Sequence, residues 1–363
     1  MNFHNKAIKI IEKLRRRYHR KNLWLLSGQE RHSACRLNIA YAGRAEGMNY
    51  INEMAFGNGM VDAPSTRIWS WNALNFNSDY YKNSDIVIVE ARGEPANRNR
   101  SPAIYFVPAW FNAVIDVSNF EKKLIQSRNV KNDLRKIRKS RLQYRISRDP
   151  NDYKDFYYRM YLPHIKKAHN NQALPMSYDN MVSHFNESEL LLVTQEGEDV
   201  AGSILLYLDG RAHAWKLGVS RGERRLISAG ALSAVYFFQL EYLKNRGYRI
   251  IHSGGTRAFV NDGGYQHKRK WGMALDHAWL DGFLVNPRKE SDGVSAFLQN
   301  NPFIYVRDGK CRCAIFSAPD QQSREEAVAK FHSNQSIAGI EWLDLYNAVD
   351  ATLVNSTELS SAK

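Results

Sequence analysis

Cysteine is almost absent: Cys35, Cys311 and Cys313 are the only three in 363 residues, an odd number with no CxxC spacing. That excludes a disulfide framework and a cysteine zinc site, and it makes a reducing cytoplasm the expected compartment. Long apolar runs are missing too. Leu23-Trp24-Leu25-Leu26 is the longest near the start. It falls far short of a signal core or of the roughly 20 residues a spanning helix needs, so no membrane insertion is expected. The letters show no fixed-period repeat. GxGxxG, GxxxxGK[ST], HExxH, GxSxG and EF-hand spacings are all absent, and no metal is implied.

What is present reads as a globular α/β chain. Apolar residues make up 44% and aromatics 12%, which excludes collagenous, low-complexity and wholly disordered chains. At 363 residues two packed domains are expected rather than one. The 51 basic residues exceed the 37 acidic ones by 14, so the partner or working surface is expected to be anionic: nucleic acid, a phosphorylated cofactor or lipid headgroups. Residues 6–21 set eight basic residues against one acid, with Ile8, Ile11 and Leu14 spaced for an amphipathic helix. A denser run lies at 122–148, where eleven Lys and Arg face Asp133 alone, an excess of 11 − 1 = 10. Val130, Leu134 and Ile137 supply a narrow apolar face there, beside the cationic stripe of Lys131, Arg135 and Arg138. Either basic helix could be a solvated face or could touch RNA or an anionic membrane.

Alternation and turn residues predict strands at 66–71, 85–90, 103–107, 144–147, 190–194, 200–208 and 212–219. The last three form a meander, with turns at Gly197 and Asp209-Gly210. A helix is expected from Ser118, capped by Ser118 with Glu121, toward Arg141. Another begins at Asp149-Pro150 and runs to Tyr161, where Pro163 bends or ends it, and a short one starts near Ser177. A long helix over 229–245, closed by Gly247, leads into a strand at 248–252, which makes a strand, crossover helix, strand unit. The segment after Val349 is small and polar and expected to fray. Between the strand ending at Val219 and the long helix, the loop 224–231 could present free amides and a helix N-terminus to a phosphate.

This stretch resembles the core of the GNAT acyltransferase superfamily, whose loop reads Q/R-x-x-G-x-G/A between a strand and a helix. Arg225, Ser228 and Gly230, with Ala231 one place on, occupy the matching positions, and Ser228 replaces the first glycine. Downstream, Gly264-Tyr265-Gln266-His267-Lys268-Arg269-Lys270-Trp271-Gly272 resembles the F-K-x-x-F-G close of the FemAB-like aminoacyltransferases, with His267-Lys268 at Phe-Lys and Trp271-Gly272 at Phe-Gly. Upstream, Pro108-Ala109-Trp110, the Asp116-Val117-Ser118 turn and residues 128–136 resemble the entry to the FemAB-like acetyltransferase domain.

The resemblance spans about residues 103–275 and implies a tandem GNAT-like α/β fold, each domain a mixed sheet flanked by helices. The expected division is a basic N-terminal helix over 1–30, a degenerate GNAT-like domain over 31–125, an acyltransferase domain over 126–320, and a C-terminal helix and tail over 321–363. It further implies direct attack of an amine on an activated acyl group, carried by acetyl-CoA or another acyl-CoA or, alternatively, by aminoacyl-tRNA. Donor binding would fall to Leu217, Gly218, Val219, Arg225, Ser228, Ala229, Gly230 and Ala231. Lys268 matches the motif lysine, and His252, Asp262 and Tyr265 are candidates for proton transfer. His213 and Trp215 alternate toward one face and could line an acceptor groove. The implied role is in cell-envelope or polysaccharide biosynthesis, in the cytoplasm or peripheral at the inner membrane face. The contrasting reading is a non-catalytic GNAT fold that binds RNA or an anionic membrane surface.

Overall fold

The computed structural model describes residues 20–57, 63–92, 103–118, 127–168, 175–276 and 281–359. In chain order the strands are β1 (Arg20–Gln29), β2 (Arg36–Gly43), β3 (Ser65–Trp69), β4 (Ile86–Arg92), β5 (Tyr105–Pro108), β6 (Phe111–Asp116), β7 (Gln143–Ser147), β8 (Ser188–Gln195) and β9 (Glu198–Leu208). They continue as β10 (Arg211–Val219), β11 (Ile250–Thr256), β12 (Ala274–Asp276), β13 (Asp281–Pro287), β14 (Phe303–Arg307), β15 (Lys310–Ser317), β16 (Trp342–Asn347) and β17 (Leu353–Glu358). The helices that matter most are α1 (Ala45–Phe56), α2 (Arg128–Lys139), α3 (Arg224–Ser228), α4 (Ala231–Asn245), α5 (Gly263–Lys270) and α6 (Gln321–Asn334).

The strands form two mixed sheets, as expected, and the chain divides into two compact units. Residues 1–111, 257–266 and 278–363 make the first, and 112–256 with 267–277 make the second. The contiguous blocks 31–125 and 126–320 therefore do not describe the units. Strands β13 to β15, inside the second expected block, belong to the first unit's sheet.

The first unit's sheet runs β17-β16-β15-β14-β5-β13-β4-β2-β1-β3. Its pairing is antiparallel except at β2/β4 and β15/β16. Each parallel pair needs a crossover, which α1 with β3 and α6 provide. Ile86, Val87, Ile88 and Val89 of β4 are all fully buried, the unbroken apolar run of a strand covered on both faces. The expected basic helix over 6–21 lies outside the described residues except for Arg20 and Lys21. Those two open β1 and pair with Trp69 and Ile68 of β3, so the sheet overrides the helical spacing. Likewise Leu353–Glu358 does not fray: it pairs with β16.

The second unit's sheet runs β12-β6-β11-β10-β9-β8-β7. Strands β8 to β10 are the antiparallel meander read from the sequence, and β7 extends it. Leu190 and Leu192 pack on one face with Tyr153, Phe156 and Met160, while Leu191 and Val193 pack on the other with Ala234, Val235 and Leu240 of α4. Burying Leu240 and Leu243 fully contributes about 2 kcal/mol each of transfer free energy. Gly247, at φ +88°, closes the helix: Tyr248 N donates to Leu243 O at 3.1 Å and Gly247 N to Lys244 O at 2.9 Å.

Two helices depart from expectation. Ser118 N and Oγ both donate to Asp116 Oδ1, a local turn, whereas α2 starts after Ser127, whose Oγ accepts from Val130 N at 3.4 Å; residues 119–126 lie outside the described residues. Asp149 caps the next helix as expected, accepting from Asn151 N at 2.8 Å. Pro163 does not end that helix, which widens to a π-helical stretch at Phe156–Tyr161 and continues to Ala168. Widening ahead of the ring accommodates the missing proline amide.

Candidate functional site

The second unit holds an interrupted pairing. Strands β10 and β11 run parallel but register only at Ala212↔Ile251 and His213↔His252. From Ala214 to Val219, β10 keeps β9 on one side and has no paired residue on the other among the described residues. A bulge between Ala214 and Lys216 and a left-handed Gly254, at φ +74°, bend the two strands at the same level. The meander, the crossover α4 and the diverging β11 make a mixed sheet flanked by helices, as the GNAT resemblance implies.

Lys268 lies at this opening. It is only 6% exposed, and its Nζ donates to Ser253 O on β11. Burial lowers its pKa to about 8. The end of α5 is fixed by Trp271 and Met273, both buried, by Gly272 at φ +70°, and by Lys270 Nζ donating to Asp133 Oδ2 at 2.5 Å. Ser253 Oγ, Thr256 Oγ1 and His267 Nε2 are buried without a hydrogen-bond partner among the described residues. His267 packs on Tyr236 at 4.3 Å between ring centroids, and burial beside two lysines pushes its pKa down to about 3, so it stays neutral.

His252 stacks on His213 with centroids 4.7 Å apart and planes at 24°. Burial, with His252 second, lowers the His213 pKa. Trp215 meets His184 edge-on at 5.2 Å, and Lys216 lies 5.4 Å from the Trp215 ring. Burial also lowers the Lys216 pKa. Sequence reasoning missed Lys216. A cation between Trp215 and Leu217 in an apolar strand was the available signal.

The remaining predicted residues take structural positions. A Cβ at Gly218 would stand 2.5 Å from Tyr161 N, so this glycine admits the π-helical backbone. Leu217 packs on the α4 core, and Val219 is fully buried within it. The loop 224–231 is not an open cradle. Residues 224–228 wind into α3, and the amides of Leu226, Ile227, Ala229 and Gly230 already donate to backbone carbonyls. Gly230, at φ +104°, packs where a Cβ would meet Lys136 Cβ at 3.1 Å, and Ala231 is buried. Ala229 O accepts from Ser140 Oγ, and Ser228 is exposed. Arg225, its side chain 81% exposed, pairs with Glu223 at 2.5 Å. It lines an open groove of about 380 Å³ in which Arg159, Arg221 and Arg225 face Glu196, Glu198, Asp199 and Glu223. Three cations against four carboxylates do not fit a diphosphate.

Asp262 and Tyr265 belong to the first unit. Asp262 Oδ1 accepts from Gly264 N and Tyr265 N, capping α5, and Tyr265 is fully buried with its Oη donating to Gln335 O at 2.5 Å. Both are occupied in holding the fold. Of the predicted catalytic residues, His252 lies on the diverging strand and the motif lysine Lys268 on α5, bonded to that strand.

No family model matches the chain, and no curated protein matches it. Solved structures with a similar outline include the C-terminal domain of a putative lysylphosphatidylglycerol synthetase from Agrobacterium fabrum, at 13% identity, 74% of this chain, 81% of that one and a TM-score of 0.33. FemX is similar at 10% identity, 72% and 83% coverage and a TM-score of 0.37. A GCN5-related N-acetyltransferase from Sphaerobacter thermophilus is similar at 13%, 71% and 74%, with a TM-score of 0.31. At these identities and TM-scores the likeness assigns no chemistry to this chain.

Proposed function

We propose that the second unit is an N-acyltransferase domain that joins an amine acceptor to an acyl group carried as an ester on tRNA. The observation that carries the reading is the unpaired stretch of β10 beyond His213, with the buried Lys268 held at the facing strand. When an amine attacks an acyl carbonyl, negative charge develops on the carbonyl oxygen. Main-chain N–H groups on the open side of β10 are fixed donors for that oxygen, and a buried ammonium strengthens them where water is scarce. Lys268 works in its protonated form; Ser253 O keeps its Nζ aimed. His213, its pKa lowered by burial, can receive the proton that the amine loses, and the ribose oxygen of tRNA leaves as its hydroxyl when the ester bond breaks.

Acyl-CoA is the less suitable donor, because the amides of Leu226, Ile227, Ala229 and Gly230 are already committed and the groove beside them carries net negative charge. The tRNA donor is favoured by α2. Arg128, Lys131, Arg135, Lys136, Arg138 and Lys139 are exposed, while Asp133 is turned inward to Lys270. Lys131, Arg135 and Arg138 advance by about 6 and 4.5 Å along the helix axis, close to the spacing of successive phosphates. Val130 and Ile137 are buried and Leu134 packs against the same core, so the apolar face of α2 is turned to the protein rather than offered to a lipid bilayer. Among the described residues no helix is long and apolar enough to cross a membrane.

The test is acyl transfer to an amine from aminoacyl-tRNA and from acetyl-CoA, side by side, with tRNA binding measured across a salt series. Transfer from the ester should dominate, and Arg135→Glu with Arg138→Glu should flatten the salt slope by about 2. Transfer from acetyl-CoA alone would replace the donor. Binding lost with no transfer from either donor would make this a binding protein.

A further inference from the structure

The first unit contains a second cationic site, independent of the transferase reading. A cavity of about 140 Å³ is lined by Lys21, Arg44, Glu90, Arg92, Ala109 and Asp281. Glu90 is committed within its wall: Oε1 accepts from Tyr41 Oη at 2.6 Å and Oε2 from Arg44 Nε at 3.0 Å. Gly43 and Gly47 let Glu90 and Tyr41 pack close against the main chain. A Cβ at Gly43 would stand 2.6 Å from Glu90 Cγ, and one at Gly47 would stand 1.9 Å from Tyr41 Oη. Arg92 and Asp281 face each other at 3.8 Å on the exposed rim.

Two half-buried cations are left over. Lys21 Nζ donates to the main-chain oxygen of Glu90 at 2.8 Å and forms no ion pair among the described residues. Arg257 lies between the rings of Trp110, at 3.8 Å, and Tyr50, at 4.2 Å, and its Nη1 donates to Ala109 O on the cavity wall at 3.3 Å. It too forms no ion pair among the described residues. Burial is the largest influence on both groups and lowers both pKa values. Cation–π contact and carbonyl hydrogen bonds compensate a buried charge only in part.

We propose that this cavity binds the phosphoryl group of a phosphate monoester. Three cations line the cavity, Lys21, Arg44 and Arg92, against the two carboxylates Glu90 and Asp281, a charge of 3 − 2 = +1, and Arg257 behind Ala109 adds a further positive charge beside it, the sign that complements a phosphate anion. A lysine point charge with guanidinium groups around it suits a tetrahedral anion better than a single carboxylate. The volume admits a phosphoryl group with a few further atoms, so the rest of the ligand extends past the rim. Trp110, 52% exposed, offers a ring there.

The full chain is titrated with inorganic phosphate, glycerol 3-phosphate and AMP at fixed ionic strength, with chloride as the control, and binding is followed by calorimetry and thermal shift. All three phosphates should bind saturably, and Lys21→Gln and Arg257→Lys should each weaken them at least tenfold. AMP binding tighter than glycerol 3-phosphate identifies a nucleotide that uses Trp110, and equal binding identifies recognition of the phosphoryl group alone. The proposal is overturned if phosphate shifts the protein no more than chloride, or if both variants titrate like the parent chain. Should circular dichroism show that Arg257→Lys fails to fold, Lys21→Gln decides alone.

Discussion

Two buried polar clusters, one in each unit, divide structure from chemistry. In the first, Asp344 is fully buried and accepts four hydrogen bonds: Tyr305 Oη at 2.5 Å, Arg312 Nε and Nη2 at 2.6 Å each, and Ser356 Oγ at 2.6 Å. Every lone pair is matched, and strands β14 to β17 are tied by one carboxylate. In the second, the Lys268 ammonium has one carbonyl, while the neighbouring hydroxyls of Ser253 and Thr256 have no partner among the described residues. A saturated network has nothing left to offer a substrate. An unsaturated one is costly to the fold and ready for a ligand, so the two clusters should respond oppositely to truncation.

The largest effect is expected at Asp344. Asp344→Ala leaves Arg312 buried without its counter-charge and should cost about 3–5 kcal/mol in urea denaturation. A loss below about 1 kcal/mol would break the comparison at its structural end. Lys268→Met should do the reverse: stability rises while transfer falls more than a hundredfold. Because folding lowers the Lys268 pKa from 10.5 to about 8, the protonated side chain opposes folding by about 3 kcal/mol. That penalty is complete below about pH 8 and vanishes as pH rises toward 10.5, where the unfolded chain also loses the proton. The stability gap between Lys268→Met and the parent should therefore close over that window. Turnover, which uses the protonated form, should decline above about pH 8, and Lys268→Arg should keep it. A variant that loses activity and stability together would make Lys268 a structural residue.

Gly218→Ala is the next smaller effect. The added carbon presses on the backbone at Tyr161 and Met160, and overpacking of this kind costs about 1–3 kcal/mol. Thermal denaturation reads it directly, and no change would mean that the π-helical stretch can move aside.

The same contrast explains what could be read from the letters. The meander, α4 and the Gly247 cap were legible because hydrophobic period, turn residues and capping agree within a few residues. The unit boundaries were not, because the first sheet takes β13 to β17 from far along the chain, and periodicity carries no information on such pairing. Arg20 and Lys21 counted toward a helix although β3 claims them as strand. Lys268 was visible only through motif resemblance, since nothing in a run of His267-Lys268-Arg269-Lys270 says which one is buried. Arg257 gave no signal, as its aromatic neighbours Tyr50 and Trp110 lie far away in sequence.

The smallest effect is expected where the motif match was most explicit. Arg225 stands at the position of the loop's basic residue, but its only hydrogen bond among the described residues is to Glu223, on the surface. An exposed pair of this kind is screened by solvent and contributes little. Arg225→Ala should leave the melting temperature unchanged and aminoacyl transfer nearly so, while Arg135→Glu in α2 weakens tRNA binding in the same assay. If Arg225→Ala instead abolished binding of acetyl-CoA, the loop must unwind from α3 to free its amides. The donor site would then return to residues 224–231, with Lys268 still serving the acyl carbonyl.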